Sequence, residues 1–203
     1  MKKLFLIILI AALHSIGATA QNATLARKVL DKTAAVVANK KGASAQFKVS
    51  GGKMGSAHGT IAIKGNMFQA TTASASVWYN GKTQWTYLKS TNEVNISTPN
   101  AAQRVRMNPY AFATLYKNGY QMGVTKSGAN YVVHLTAQSS KSAVKEIYLT
   151  VNSKTYVPST VKMKEGNTWT TISISKFASK NLPASMFSFR AKDFPTAEVV
   201  DLR

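Results

Sequence analysis

The sequence predicts a mainly β chain with two added helices, laid out as a meander of about ten antiparallel strands. Three observations carry this reading. From Ala45 onward, short segments of alternating apolarity recur about every ten residues, and each runs into turn chemistry. One amphipathic helical pattern precedes them. One interruption, Thr98 to Gly119, breaks the alternation and has helical spacing instead.

The N-terminus reads as an export signal. Met1-Lys2-Lys3 is a short basic region, and Leu4 to Leu13 is an apolar run too short to span a bilayer. Ala18-Thr19-Ala20 is a small-x-small cleavage signature. Residues 1–20 are therefore expected to be removed, leaving a single soluble domain over 21–203. No later segment is apolar enough for a transmembrane helix.

The first expected element of the fold is a helix from Ala23 to Asn39. Leu25, Val29 and Val36 form its stripe, with Leu30 and Val37 beside it; Arg27, Lys28, Lys32 and Lys40 point elsewhere. Asn22 suits its N-cap and Gly42 its end. Strands follow. Phe47 and Val49 alternate before Gly51-Gly52, and Ile61 and Ile63 before Gly65-Asn66. Val77-Trp78-Tyr79 and Gln84 to Tyr87 flank Asn80-Gly81, a strong hairpin signal, and Glu93-Val94-Asn95-Ile96 comes next. After the interruption, Tyr131, Val133 and Leu135 alternate, then Ile147, Leu149 and Val151, then Val157, Val161 and Met163. Ile172 with Ile174, and Phe187 with Phe189, complete the series. Within the interruption, Asn108 suits an N-cap and Pro109 a first helical turn. Phe112, Leu115 and Tyr116 make an apolar patch, and Gly119 is a stop.

Composition narrows the function. The chain has no cysteine, which excludes disulfides, thiol catalysis, cysteine metal sites and lipidation after the signal. Its formal net charge is +19, or +17 without Lys2 and Lys3, against seven acidic residues. That balance points to an acidic partner, such as a membrane surface, lipopolysaccharide or an acidic protein, or to a generic basic exported protein. The cations are scattered and no basic helix exists, so nucleic acid is not expected. His14 leaves with the signal, and His58 and His134 are far apart. The carboxylates Asp31, Glu93, Glu146, Glu165, Asp193, Glu198 and Asp201 form no metal or acid-base motif. No Gly-x-Ser-x-Gly elbow occurs. Neither an enzyme, a metal nor a cofactor is expected.

Trp85 and Tyr87 share one sheet face and need an apolar partner. A sheet of about ten antiparallel strands curls. It can pack shut, or leave a trough for an apolar ligand with helices as covers. The residue pattern leaves both possibilities open.

Four ordered segments carry a resemblance. These are Gly59-Thr60-Ile61-Ala62-Ile63-Lys64 with Asn66-Met67-Phe68; Asn80-Gly81-Lys82-Thr83 with Trp85 and Tyr87; Asn108-Pro109 and the helix after it; and Met186-Phe187-Ser188-Phe189 with Pro195 and Glu198-Val199. From residue 23 to its end the chain resembles the periplasmic outer-membrane lipoprotein carrier family, LolA. The resemblance implies an incomplete antiparallel β-barrel covered by the N-terminal helix and a lid helix. It implies a monomeric periplasmic carrier that takes lipoprotein acyl chains from an inner-membrane lipoprotein-releasing transporter to an outer-membrane acceptor. The alternatives on the same fold are a carrier of a phospholipid or glycolipid, or a non-enzymatic envelope sensor or interaction module.

If one face of each strand points inward, the lipid-binding residues are Phe47, Val49, Ile61, Ile63, Phe68, Trp85, Tyr87, Val94, Ile96, Phe112, Leu115, Leu135, Ile147 and Leu149. The sequence departs from the family in its high basicity, at Asn80, where the family carries Asp, and after the second strand. The family carries an Arg-Pro pair after the second strand, with the Arg implicated in holding the lid. Here Lys64 is followed by Gly65-Asn66, so Lys64 is the candidate lid latch, although an ammonium cannot copy a guanidinium fork.

Overall fold

The computed structural model describes residues 22–52, 55–100, 103, 116–117 and 119–203. The expected signal segment and the expected lid helix, with Asn108, Pro109, Phe112 and Leu115, lie outside the described residues.

Helix α1 covers residues 22–37. Its buried stripe is Ala26, Val29, Leu30, Thr33 and Val37, while Leu25 is 41% exposed. The expected stripe was centred one residue too early. Ala26 and Thr33 are small, so Leu25 and Val36 weigh more in a hydropathy pattern although they lie off the packed side. The buried Thr33 hydroxyl donates to the Val29 carbonyl at 2.9 Å and so carries no unpaired polar atom inward. Asn22 Oδ1 accepts from the Val124 backbone N–H at 2.6 Å, pinning this end of α1 to a sheet edge. At the other end Asn39 Oδ1 accepts from the Gly42 N–H at 2.7 Å.

The described strands form one sheet. Its strands are β1 (Ala43–Gly51), β2 (Ala57–Lys64), β3 (Met67–Thr72), β4 (Ala75–Tyr79), β5 (Gln84–Leu88), β6 (Glu93–Ser97), β7 (Tyr120–Ser127), β8 (Asn130–Ala137), β9 (Val144–Asn152), β10 (Pro158–Glu165), β11 (Thr168–Ser179) and β12 (Glu198–Asp201). The spatial order is β12-β6-β5-β4-β3-β2-β1-β11-β10-β9-β8-β7, so the sheet is open, with β12 and β7 at its edges. All pairings are antiparallel except β12 with β6. The expected mainly β, incomplete antiparallel architecture is thus present.

Strands β3, β7 and β12 add to the expected set. The expected strand at Phe187 and Phe189 is absent: Ala184–Phe187 is a 3-10 turn. Local chemistry explains several joints. Gly65-Asn66 and Gly166-Asn167 make two-residue turns that join Lys64 to Met67 and Glu165 to Thr168. Gly65 and Gly166 have φ of 59° and 57°, a region that glycine enters without cost. The Asn80-Gly81 connection is longer than a two-residue turn, because the last strand pair is Tyr79 with Gln84. Asn80 Oδ1 accepts from the N–H groups of Lys82 (3.0 Å) and Thr83 (2.8 Å), and the Asn80 N–H donates to the Thr83 carbonyl at 3.2 Å.

The main core lies between α1 and one face of the sheet. Val29, Leu30 and Val37 pack with Ile61, Ile63 and Phe68 on one side and Val133, Leu135, Ile147 and Leu149 on the other. Burial of these aliphatic side chains stabilises the fold by about 2 kcal/mol each.

Candidate functional site

Strand register divides the sequence-derived site residues between two faces. In antiparallel pairing, opposed residues share a face and neighbours along a strand alternate. Ile63, Phe68, Tyr79 and Gln84 are opposed in turn across β2 to β5, and Ile63 and Phe68 belong to the core under α1. Leu135 opposes Ile147, and Leu149 opposes Val161, which opposes Ile172 and so reaches Val49. Phe47, Val49, Ile61, Ile63, Phe68, Leu135, Ile147 and Leu149 therefore share the α1 face. This face is unbroken from β4 through β1 to β8 and is almost wholly aliphatic and aromatic.

Trp85, Tyr87, Val94 and Ile96 lie on the opposite face. Trp85 opposes Trp78 and Ile96, and Tyr87 opposes Val94. The expectation of a single inward face is corrected for these four residues. Their alternation is as expected, but pairing sets the side, and a one-residue offset inverts a whole strand. The apolar partner of Tyr87 and of Trp78 on this face is the C-terminal segment. Phe194 lies 4.6 Å from Tyr87 and 5.6 Å from Trp78, ring centre to ring centre, and Phe189 lies 5.7 Å from Trp78. Asn92 ties the same segment down. Its side chain donates to the Thr196 carbonyl at 2.7 Å, and its own carbonyl accepts from Glu198 N–H at 3.0 Å. The sequence could not reveal this arrangement locally, because the covering aromatics come from the end of the chain.

Under that segment lies a cleft of about 450 Å³, lined by Gln69, Trp78, Pro183, Met186, Arg190 and Phe194 among others. Arg190 is paired there with Asp193 at 2.7 Å. Lys64 also serves this face. Its Nζ donates to the Leu182 carbonyl at 2.5 Å, and its side chain points away from α1, since Ile63 points toward it. The expected lid latch thus fastens the C-terminal segment.

On the α1 face, the described end of the inserted segment is held by a polar contact. Tyr116 is buried, and its hydroxyl donates to Asp31 Oδ1 at 2.5 Å. Burial, followed by the neighbouring Asp31 carboxylate, pushes the phenol well above its ordinary value. Burial likewise raises the Tyr120 phenol. Gln84 was missed by sequence reasoning. It is a glutamine on an apolar face, 5% exposed, and its Oε1 has no hydrogen-bond partner among the described residues.

Over β8 to β11 the outer face is polar. His134 stacks on Tyr148 at 4.1 Å, and Glu146 accepts from Lys164 at 3.0 Å. Lys164 holds the Glu146 carboxyl below the usual carboxylate range. Among the described residues, no group of three His, Asp or Glu could hold a metal ion, and no helix is long and apolar enough to cross a membrane.

An open antiparallel sheet with a helix laid along its apolar face is the architecture of LolA-like proteins. Residues 16–167 match the family model of the outer membrane lipoprotein carrier protein LolA, and the chain belongs to that family. No curated protein sequence matches it. Among solved structures, an uncharacterized conserved protein from Thermus thermophilus superposes with a TM-score of 0.60 at 15% identity, over 87% of this chain and 98% of that one. A LolA superfamily protein from Nitrosomonas europaea gives 0.47 at 11% identity, over 81% and 97%. MucB gives 0.47 at 11% identity, over 83% of this chain and 64% of MucB. The first of these likenesses is one of fold alone.

Proposed function

We propose that the protein is a periplasmic carrier for the acyl chains of lipoproteins, moving them from an inner-membrane releasing transporter toward the outer membrane. One observation carries this reading: among the described residues, the unbroken apolar face from Phe68 to Leu135 is covered by α1 and not by a second sheet. A single helix can move aside at far lower cost than a sheet. Acyl chains then replace α1 side chains against Ile61, Leu135, Ile147 and Leu149, and each methylene withdrawn from water contributes about 0.8 kcal/mol. Family membership supports the same reading. The net charge, +17 without Lys2 and Lys3, suits docking at anionic headgroups.

A second reading, a non-enzymatic envelope sensor or interaction module, is favoured by a different observation. Val133, Leu135, Ile147, Leu149 and Val151 are 0% exposed, so that stretch of the face is filled by the protein itself.

Native mass spectrometry of the chain purified from an envelope fraction, with titration of a fluorescent acyl probe, separates the two. The carrier reading expects co-purifying amphiphile and saturable probe binding. Absence of both favours the module.

A further inference from the structure

We infer that Gln84 reads the linkage at the head of a bound acyl chain and selects one joined through an amide. The inference rests on the carrier reading above and deepens it.

Gln84 is the first residue of β5. Register places it in a row with Ala43, Ile63, Phe68, Tyr79 and Ser97, all at one end of their strands. This is the rim of the α1 face: Ala43 starts β1 just after α1, and Ser97 ends β6. A chain lying along the apolar face would bring its polar head to this rim.

Apart from Ser97 the row is apolar, and the other polar atoms near Gln84 are already used. The Tyr79 hydroxyl donates to the Gly81 carbonyl at 2.7 Å, and Asn80 Oδ1 holds the turn. Gln84 Nε2 donates to Thr86 Oγ1 at 3.2 Å. The carbonyl oxygen of the same amide is buried without a donor among the described residues. Buried amide oxygens are rarely left unpaired, because burial without a hydrogen bond is destabilising. The requirement is specific: this oxygen needs an N–H or O–H. An ester-linked acyl chain offers only acceptors. An amide-linked chain offers one N–H at its carbonyl head, matching an acceptor set among aliphatic and aromatic side chains.

The test compares N-palmitoylglycine with its oxygen analogue, palmitoyloxyacetic acid, which differs only in replacing N–H by O. Both are titrated into the wild-type chain and into Gln84→Leu, with Gln84→Met as the alternative where Leu impairs folding. The wild type is expected to bind the amide about fivefold more tightly, the size of one net hydrogen bond. The variant is expected to bind both equally, with its affinity for the ester kept. Equal binding by the wild type overturns the inference while leaving the carrier reading standing. So does a preference that survives in the variant. Binding of neither ligand removes the carrier reading, and the inference with it.

Discussion

Tyr116 donates its hydroxyl to Asp31 across 2.5 Å, fastening the chain ahead of β7 to the middle of α1. It is a polar contact from a phenol buried to 1% exposure, set among apolar neighbours. A contact of this kind is specific yet breakable, which suits a cover that must be displaced.

Tyr116→Phe should lower stability by about 1.5–3 kcal/mol, the net value of a hydrogen bond to a charged group. Its pH signature is more diagnostic. The folded-state pKa of Tyr116 is raised above 10.0, so above that pH the unfolded chain has released a proton that the folded chain retains. The contribution is complete below pH 10 and is lost as pH rises beyond it. Urea midpoints of the wild type should fall above pH 10. Those of Tyr116→Phe should fall less, with Tyr120 accounting for the remainder.

Phe187 is fully buried on the opposite face against Ala62, Leu182 and Met67. Phe187→Ala should cost about 3–4 kcal/mol through lost burial and the cavity left behind. Urea unfolding monitored by tryptophan fluorescence reads this. A loss below about 1 kcal/mol would mean that the C-terminal segment is not integral to the fold.

Gly59 sits where β2 and β3 come close. A Cβ there would lie 2.0 Å from the Thr71 carbonyl oxygen and 3.1 Å from the Phe47 ring. Gly59→Ala should therefore destabilise by about 2–3 kcal/mol by forcing the strands apart. Gly55→Asn meets no atom within 4 Å and keeps a residue that tolerates positive φ, so it should change the melting temperature little.

Lys64→Met removes the bond to the Leu182 carbonyl. Amide hydrogen exchange should accelerate around Leu182 to Phe187 while α1 amides keep their protection. Faster exchange in α1 instead would restore Lys64 as a latch for the cover.

The two faces can be told apart by ligand. Phe47→Ala, at a half-buried position on the α1 face, should weaken acyl-probe binding several-fold. Trp85→Ala, on the other face, should leave it unchanged. The reverse result would move the binding surface to the cleft beside Trp78.

Much of this was legible in the sequence, and the gaps have physical causes. Alternation located most of the strands, since period two is a property of each segment alone. Family likeness supplied the open sheet. The side on which Trp85 and Tyr87 fall depends on register against Tyr79 and on Phe189 and Phe194, which local pattern does not contain. Phe187 and Phe189 have strand spacing, but Pro183 introduces a 3-10 turn there. Asn22 bonds Val124, a partner visible only once β7 is placed. Gln84 gave no signal, because a polar residue at a strand start is ordinary until its burial is known.

The pairing of Val49 with Ile172 has a kinetic consequence. Strands β1 to β6 and β7 to β11 each form by local hairpins, but the seam between β1 and β11 joins the beginning of the fold to nearly its end. Such non-local pairing slows folding, since the loop entropy is spent before the contacts form. Until β11 arrives, each half carries its share of the apolar face with no neighbour across the seam. The newly made chain is therefore most prone to aggregation just before the seam closes. Substitutions along β1 and β11 should alter the refolding rate more than the unfolding rate if the seam forms in the transition state.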